Sequence, residues 1–140
     1  MSTRASFYVL ESDGLDPLLV ACRLAIKAWD EGQPVAIVAG SASDAAAIDE
    51  LLWNVKPRRF IPHNIARPGK APFSPIVIAA NDSESTRAEV TINLSEDPIR
   101  NSGSRILEIV PGAEDMKNRS RRKYLHYRQL GYELDSHELK

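Results

Sequence analysis

A short, wholly apolar segment at residues 35–39, Val-Ala-Ile-Val-Ala, constrains the fold of this chain most. Runs of this kind, without alternating polar residues, are typical of strands that are covered on both faces of a sheet. Cover on both faces requires further layers, and helices that alternate with strands along the chain supply them. The segment therefore predicts a layered α/β fold.

The sequence on either side of this run alternates between strand and helix patterns. Residues 6–10 are rich in β-forming side chains and end at a turn composition over 12–14. A helix pattern then runs from the capping residue Asp16 and Pro17 to Gly32. The later elements are a helix over 45–55, strands over 76–79, 90–94 and 106–110, and a last helix from near Gly112 to Gly131, with Glu114 and Asp115 in its first turn.

This alternation predicts one domain over residues 1–140. Its fold would be a three-layer α/β/α arrangement of Rossmann-like type, with an open, mostly parallel sheet and helices on both faces. Prolines and a glycine interrupt residues 56–75, so we expect a loop region there, with only a short extended piece at 59–61. Loops of this kind are frequent positions for functional residues.

Composition narrows the class of protein. The 140 residues carry a formal net charge of −1, which excludes a strongly basic nucleic-acid coat protein and leaves any charge-driven binding to a local patch. The single cysteine, Cys22, falls on the apolar stripe of the first helix, so we expect it in the core. The chain has no apolar run of the length of a signal peptide or a membrane span, which predicts a cytoplasmic protein without membrane contact.

The patterns required for nucleotide binding are missing. The turn after the first strand, residues 11–15, has one glycine and two carboxylates, which would repel a phosphate. The turn at residues 40–44 has neither a second glycine nor a lysine. We therefore expect no nucleotide cofactor, although the fold class often holds one.

Metal and catalytic patterns are missing as well. The three histidines, His63, His126 and His137, have no ligand spacing, and neither Ser41 nor Ser43 lies in a nucleophile elbow. The carboxylate pairs 49–50 and 114–115 are typical of solvated helix faces or of partners of a helix dipole. The sequence thus predicts no metal site and no catalytic centre.

Two surfaces have the composition of binding sites. The first, here called the aromatic surface, consists of Trp53 and the loop residues Phe60, Pro62, His63 and Asn64. Aromatic side chains beside a rigid proline turn make suitable interface anchors. The alternative is that Trp53 packs against the edge of its own domain.

The second is the last helix, where residues 117–128 hold six of the 18 basic residues. Arg121, Tyr124, Leu125 and Arg128 stand at i, i+3, i+4 and i+7, so they share one helix face. Such a face suits an acidic peptide that ends in an apolar side chain, or a phosphate backbone with stacked bases. The alternative is a solvated helix in which Tyr124 and Tyr127 cover the core.

The combination of motifs resembles the chi subunit of bacterial DNA polymerase III. The motifs are Asp-Glu-Leu-Leu-Trp at 49–53, Phe-Ile-Pro-His-Asn at 60–64, and the pattern Arg121, Tyr124, Tyr127-Arg128, Gly131-Tyr132, in the family's order and approximate spacing. The resemblance implies an accessory replication protein of the bacterial replisome, with no catalytic site and a nucleotide-binding-like fold that holds no nucleotide. In this family the protein bridges the clamp loader to the single-stranded-DNA-binding protein, and its contact with DNA is mainly indirect.

The resemblance also assigns the two surfaces. It implies that the aromatic surface receives the psi subunit, another clamp-loader component or a repair helicase. The last helix would receive the acidic, phenylalanine-ended tail of the single-stranded-DNA-binding protein through Arg121, Tyr124 and Arg128. Leu125 stands where the family pattern has a basic residue, and Lys123 or Arg122 would supply that charge. The other hypotheses are direct binding of single-stranded nucleic acid by the basic helix, and a small α/β enzyme.

Overall fold

The computed structural model of the protein describes residues 3–11, 14–56, 58–66, 74–82, 85, 88–100, 102–112 and 114–139, with the side chains of 114–116 left out. The helices are α1 (Pro17–Asp30), α2 (Ala42–Asn54) and α3 (Glu114–Gln129). The strands are β1 (Arg4–Leu10), β2 (Val35–Val38), β3 (His63–Ile65), β4 (Ile76–Ala79), β5 (Val90–Asn93), β6 (Arg105–Val110) and β7 (Glu133–Leu139). The predicted turn residues Ser12 and Asp13, most of the predicted 56–75 loop prolines, and the side chains of Glu114 and Asp115 lie outside this description.

The seven strands form one sheet in the order β3-β4-β2-β5-β6-β1-β7. Every pairing between them is parallel, so the expected mostly parallel sheet is parallel throughout the described strands. The register joins Arg4 of β1 to Arg105 of β6 and to Glu133 of β7. The first strand is therefore held between two strands from the far end of the chain.

Helices cover both faces of the sheet, as expected. The larger core cluster joins α1 and α2 to one face, where Ile37, Ile78 and Ile92 are fully buried. The smaller cluster lies on the other face, where Tyr127 of α3 packs with Phe7 and other residues of β1 and β6. The all-apolar strand β2 is buried at all four residues, which confirms its prediction as a strand covered on both faces.

The predicted features of helix α1 are present in the structure. The Asp16 carboxylate accepts a hydrogen bond from Leu18 N at 3.0 Å and caps α1, with Pro17 in its first turn. Cys22 is fully buried, and its burial, aided by the Asp16 carboxylate, raises the pKa of the thiol to about 12. The prediction that Cys22 is a core residue is confirmed.

Two strands differ from the expectation. The extended piece expected at 59–61 is instead a loop, and the strand is His63–Ile65, which pairs with β4. Ile61 is buried in the main core cluster, and this anchor brings the following residues to the sheet edge. The strand β7 was not expected at all, because its mixed polar sequence has no β-branched residue.

Candidate interaction surfaces

The aromatic surface forms beside the β3 edge of the sheet. Trp53 on α2 is 51% exposed and Phe60 in the following loop is 68% exposed. Their ring centroids lie 5.7 Å apart, so the two side chains form one apolar surface patch. Trp53 does not bury itself against the domain edge, and the contiguous exposed pair is typical of an interaction site.

His63 supports this pair from below. Its side chain is fully buried, and its ring meets the Trp53 ring edge-on at a centroid distance of 4.7 Å. The imidazole Nδ1 lies 2.6 Å from the carbonyl oxygen of Ile61. Its Nε2 lies 3.2 Å from Asp49 Oδ1, which is ion-pair distance without hydrogen-bond alignment. His63 therefore positions Trp53, while Pro62 and Asn64 beside it are only half-buried.

A groove of about 280 Å³ lies near the other edge of the sheet, on the face that α3 covers. It is bounded by α3 and by strands β1, β6 and β7. We call it the α3 groove. Apolar side chains of Phe7, Val9 and Val110 line it together with Tyr124, which is 41% exposed and 5.7 Å from the Phe7 ring. The polar lining comprises Lys117, Ser120, Arg121 and Ser136, and none of the lining residues whose side chains the structure describes is acidic. The groove thus combines an apolar floor with a cationic rim.

The four residues predicted to share a face of α3 do not all line this groove. Arg121 and Tyr124 do, and the Arg121 guanidinium donates a hydrogen bond to Asn118 Oδ1 at 3.2 Å and forms no salt bridge with any side chain that the structure describes. Leu125, 55% exposed, and Arg128 are exposed on the helix outside the groove lining. They extend the surface rather than shape the cavity.

Lys123 lies in a different environment from the one expected of a surface cation. It is 5% exposed, and its Nζ donates to Glu108 Oε1 at 2.9 Å and to the carbonyl oxygen of Ser95 at 2.6 Å. Residues at i and i+4 share a helix face, so Lys123 points inward with Tyr127. Its charge is used inside the protein, which leaves Arg121, Lys117 and the exposed Arg122 as the nearby surface cations.

Lys123 belongs to a buried polar cluster around Glu108. The second carboxylate oxygen, Oε2, accepts from the Tyr127 hydroxyl at 2.6 Å and from Asn93 Nδ2 at 2.8 Å, and the Tyr127 oxygen accepts from Ile99 N. Burial raises the pKa of Glu108, and the Lys123 ammonium opposes that rise. Burial also raises the pKa of Tyr127, with the Glu108 charge adding to it. This cluster fixes α3 to the sheet and so sets the shape of the α3 groove.

The turn between β2 and α2 packs closely against the chain that follows β5. A side-chain carbon at Gly40 would lie 3.2 Å from Ser95 Cα, and Gly40 N donates to the carbonyl oxygen of Ala80. The Ser41 hydroxyl accepts from Asp44 N at 3.1 Å and caps α2. Within the part of the chain that the structure describes, no three metal-ligating side chains come together, and no helix has the length and apolarity to cross a membrane.

Sequence reasoning located the helix side of the α3 groove but missed its floor. Phe7 and Val9 were recognised only as strand residues, and Ser136 lies on the unexpected strand β7. The alternation within β1 carries the available signal, because Phe7 and Val9 point to the α3 face while Tyr8 and Leu10 point to the other. The strand neighbours that complete the groove are set by long-range pairing, which no local pattern reveals.

Comparison with known proteins gives a consistent result. The sequence profile of the family described as "DNA polymerase III chi subunit, HolC" matches residues 1–135. The protein called DNA polymerase III subunit chi in Pseudomonas aeruginosa is 33% identical over 140 residues, covering 98% of this chain and 97% of that protein. The proteins of the same name in Haemophilus influenzae and Escherichia coli are 31% and 29% identical, covering 97% and 94% of this chain and 97% and 95% of those proteins.

Proposed function

This chain belongs to the DNA polymerase III chi subunit family, an accessory family of bacterial DNA replication, and from that premise we propose that it acts as a non-catalytic adaptor. One surface would hold the clamp loader, through its psi subunit or another component. The other would hold the acidic tail of the single-stranded-DNA-binding protein. The adaptor then joins the polymerase assembly to the coated lagging strand.

The α3 groove is the observation that carries this proposal. An acidic peptide with a terminal aromatic side chain needs an apolar cavity next to positive charge. The groove offers Phe7, Val9 and Val110 as an apolar floor, with Lys117 and Arg121 at its rim. A terminal phenylalanine ring would pack against Tyr124 and the floor, and the carboxylates would meet the guanidinium.

The aromatic surface supports the second half of the proposal. Trp53 and Phe60 present exposed apolar area on a rigid base, since α2 and the buried His63 hold the Trp53 ring in place. Buried aromatic anchors dominate the energy of many protein interfaces. A clamp-loader partner that covers both rings would remove this area from water.

The positions of the two surfaces suit simultaneous binding. The aromatic surface lies beside β3, at one edge of the sheet, and the α3 groove includes β1, the sixth strand in the order. Five strand spacings of about 4.8 Å separate these strands by about 24 Å. Two partners of ordinary size can approach from different sides without overlap.

The contact with the tail is expected to be weak by itself. A disordered tail loses conformational entropy when it binds, and exposed charge pairs are screened by salt. We therefore expect a dissociation constant in the micromolar range, about 10⁻⁶ M or weaker. Several tails near one clamp loader raise the effective concentration, so the assembled complex holds more firmly than a single contact.

Calorimetric titration with an acidic peptide ending in Pro-Phe tests this function. We expect the peptide to bind, and Arg121→Ala and Tyr124→Ala each to weaken it by about tenfold, corresponding to about 1.4 kcal/mol for a charged or aromatic contact. Arg58→Ala is the matched control, because Arg58 is exposed and lies outside the lining of the α3 groove and outside α3. Binding of a single-stranded oligonucleotide in place of the peptide would instead favour a direct nucleic-acid binder.

A further inference from the structure

A second groove lies next to the aromatic surface, where the carboxyl-terminal ends of α1 and α2 meet. It measures about 470 Å³, and we call it the basic groove. Its lining holds four cationic side chains, Arg23, Lys27, Lys56 and Arg59, and two carboxylates, Asp30 and Glu31. Neither the aromatic surface nor the α3 groove includes these residues.

One of the two carboxylates is already neutralised. Arg59 Nη1 donates to Asp30 Oδ2 at 3.2 Å, and Arg59 Nη2 contacts the other carboxylate oxygen, so the pair is bidentate. The same guanidinium lies over the Trp29 ring, 4.9 Å from its centroid. Arg59 and Asp30 therefore form a fixed wall of the groove, and their charges cancel.

The remaining charges are unbalanced. Among the described residues, Arg23, Lys27 and Lys56 form no salt bridge, and all three are exposed. Against these three cations stands the one carboxylate of Glu31, which leaves a net charge of +2 in the groove. Lys27 lies in the last turn of α1, where a cation also stabilises the helix dipole. Lys56 directly follows the C-cap of α2 and can stabilise the dipole of that helix in the same way, whereas Arg23 lies in mid-helix and has no such role.

The basic groove is continuous with the aromatic surface. Arg59 immediately precedes Phe60 in the chain, and Lys56 lies three residues after Trp53. A partner that covers the rings of Trp53 and Phe60 therefore comes close to the cations of the basic groove.

We propose that the basic groove receives acidic side chains of the same clamp-loader partner that packs on Trp53 and Phe60. This inference rests on the proposed function and adds to it the charge of the partner: carboxylates next to an apolar anchor. Complementary charge at the border of an apolar patch fixes the orientation of a partner and speeds its association.

The charges on the other side of Trp53 favour a protein over a nucleic acid. Asp49 and Glu50 stand about one turn before Trp53 on α2, whereas Lys56 and Arg59 follow it, so the aromatic pair lies between a negative and a positive zone. A nucleic-acid strand stacked on both rings would carry a phosphate at every nucleotide and would place some beside these carboxylates. A folded partner can confine its acidic side chains to the groove.

Surface plasmon resonance with the purified clamp-loader complex of the source bacterium, including its psi subunit where one is encoded, tests the inference. We expect Arg23→Glu and Lys56→Glu each to weaken binding by about 3- to 10-fold, mainly through slower association. Arg122→Glu, which makes the same change of charge on α3, should leave it unchanged. Raising the salt from about 0.05 M to 0.3 M should weaken the wild type more than either groove variant.

The outcomes separate the two proposals. If Trp53→Ala abolishes binding while both groove reversals leave it intact, the basic groove has no part in docking and the inference is wrong, although the adaptor function stands. If the wild-type protein does not bind the complex, both fail. If Arg122→Glu weakens binding of the complex as much as the groove reversals do, the effect is a non-specific effect of charge and the inference is wrong. If the protein binds an oligonucleotide and both groove reversals abolish that binding, the groove is a nucleic-acid site instead. Thermal unfolding of each variant confirms that the fold is retained, and Lys56→Gln should give a smaller loss than the reversal.

Discussion

At the scale of single residues, the buried Lys123 is the least expected feature of α3. The helix carries six basic residues between 117 and 128, and five of them are on or near the surface, whereas Lys123 is almost fully buried. A buried ammonium is stable only with a partner, and Glu108 and the Ser95 carbonyl oxygen supply it. The dense run of basic residues therefore serves two purposes, one inside the protein and one at its surface.

This pairing predicts a pH-dependent cost of losing Lys123. In Lys123→Met only the hydrogen bonds from Asn93 and Tyr127 still oppose the effect of burial on Glu108, so the pKa of Glu108 rises further above its usual range. A carboxyl with a higher pKa in the folded than in the unfolded chain gives stability at low pH that is lost as the pH rises through the folded value. We expect a loss of about 3–5 kcal/mol at pH 7.5 and a smaller loss at pH 5, measured by urea denaturation.

The double variant Glu108→Gln, Lys123→Met is the control for this experiment. It carries no titratable group at either position. Its change in the free energy of unfolding should therefore not show the difference between pH 7.5 and pH 5 that we expect for Lys123→Met. An identical loss for Lys123→Met at both pH values would show that Glu108 keeps its charge without the lysine.

At the scale of elements, the end of α3 shows how a local signal becomes structure. Gly131 has a φ of +81°, Gly131 N donates to the Arg128 carbonyl, and Tyr132 N donates to the Tyr127 carbonyl. These two bonds form a Schellman motif, and the Tyr132 ring stacks on Tyr127 at 5.7 Å, as the motif's apolar contact. The sequence predicted that the last helix ends at Gly131. The same residue provides the bend that directs the chain into β7.

Substitution of Gly131 isolates the backbone contribution to this bend. A side-chain carbon at this position would meet no atom within 4 Å, so Gly131→Ala adds no clash and costs only the left-handed conformation. We expect a loss of about 1–2 kcal/mol for alanine and less for Gly131→Asn, since asparagine tolerates this region better. Thermal or urea unfolding measures the difference. If Gly131→Ala and Gly131→Asn are equally stable, the loss does not come from the left-handed backbone conformation.

The elements that the sequence predicted are those with local signals. Helix ends are set by neighbouring atoms, at the caps Asp16 and Ser41, at Pro17 and at the glycines 32 and 131. The apolar strands are predicted from composition, because they are buried in the sheet whichever strands they pair with. The strand β7 lacks such a signal because it depends on pairing with β1, including ion pairs of Arg4 with Glu133 at 3.0 Å and with Asp135 at 3.3 Å.

The same reason limited the prediction of the sites. Trp53 and Phe60 were recognised because two aromatic residues beside a rigid proline turn, one late in a predicted helix and one in the loop after it, are suitable interface anchors. The basic groove was not, because Arg23 and Lys56 are 33 residues apart and meet only when α1 packs on α2. A groove between two helices depends on their packing, which a pattern within one segment does not contain.

At the scale of the whole molecule, the separation of the two surfaces predicts independent binding. With about 24 Å between them and no shared residue, occupation of one surface should change the affinity of the other by less than a factor of about two. The measurement is the dissociation constant of the acidic Pro-Phe peptide with and without saturating clamp-loader complex. A change of tenfold or more would show that the sheet between the surfaces transmits an effect, or that the partners touch each other.

The place of β1 between β6 and β7 has a consequence for how the protein is made. Its neighbours are translated about 100 or more residues after it, so at roughly 5–20 residues per second the first strand waits on the order of ten seconds for both partners. The α3 groove, which needs β1, β6, α3 and β7, should therefore form only as synthesis ends, whereas β2 and α2 can pack earlier. Protease digestion of ribosome-stalled chains should find β1 protected only once β7 has left the exit tunnel, so an interrupted translation product would lack the α3 groove.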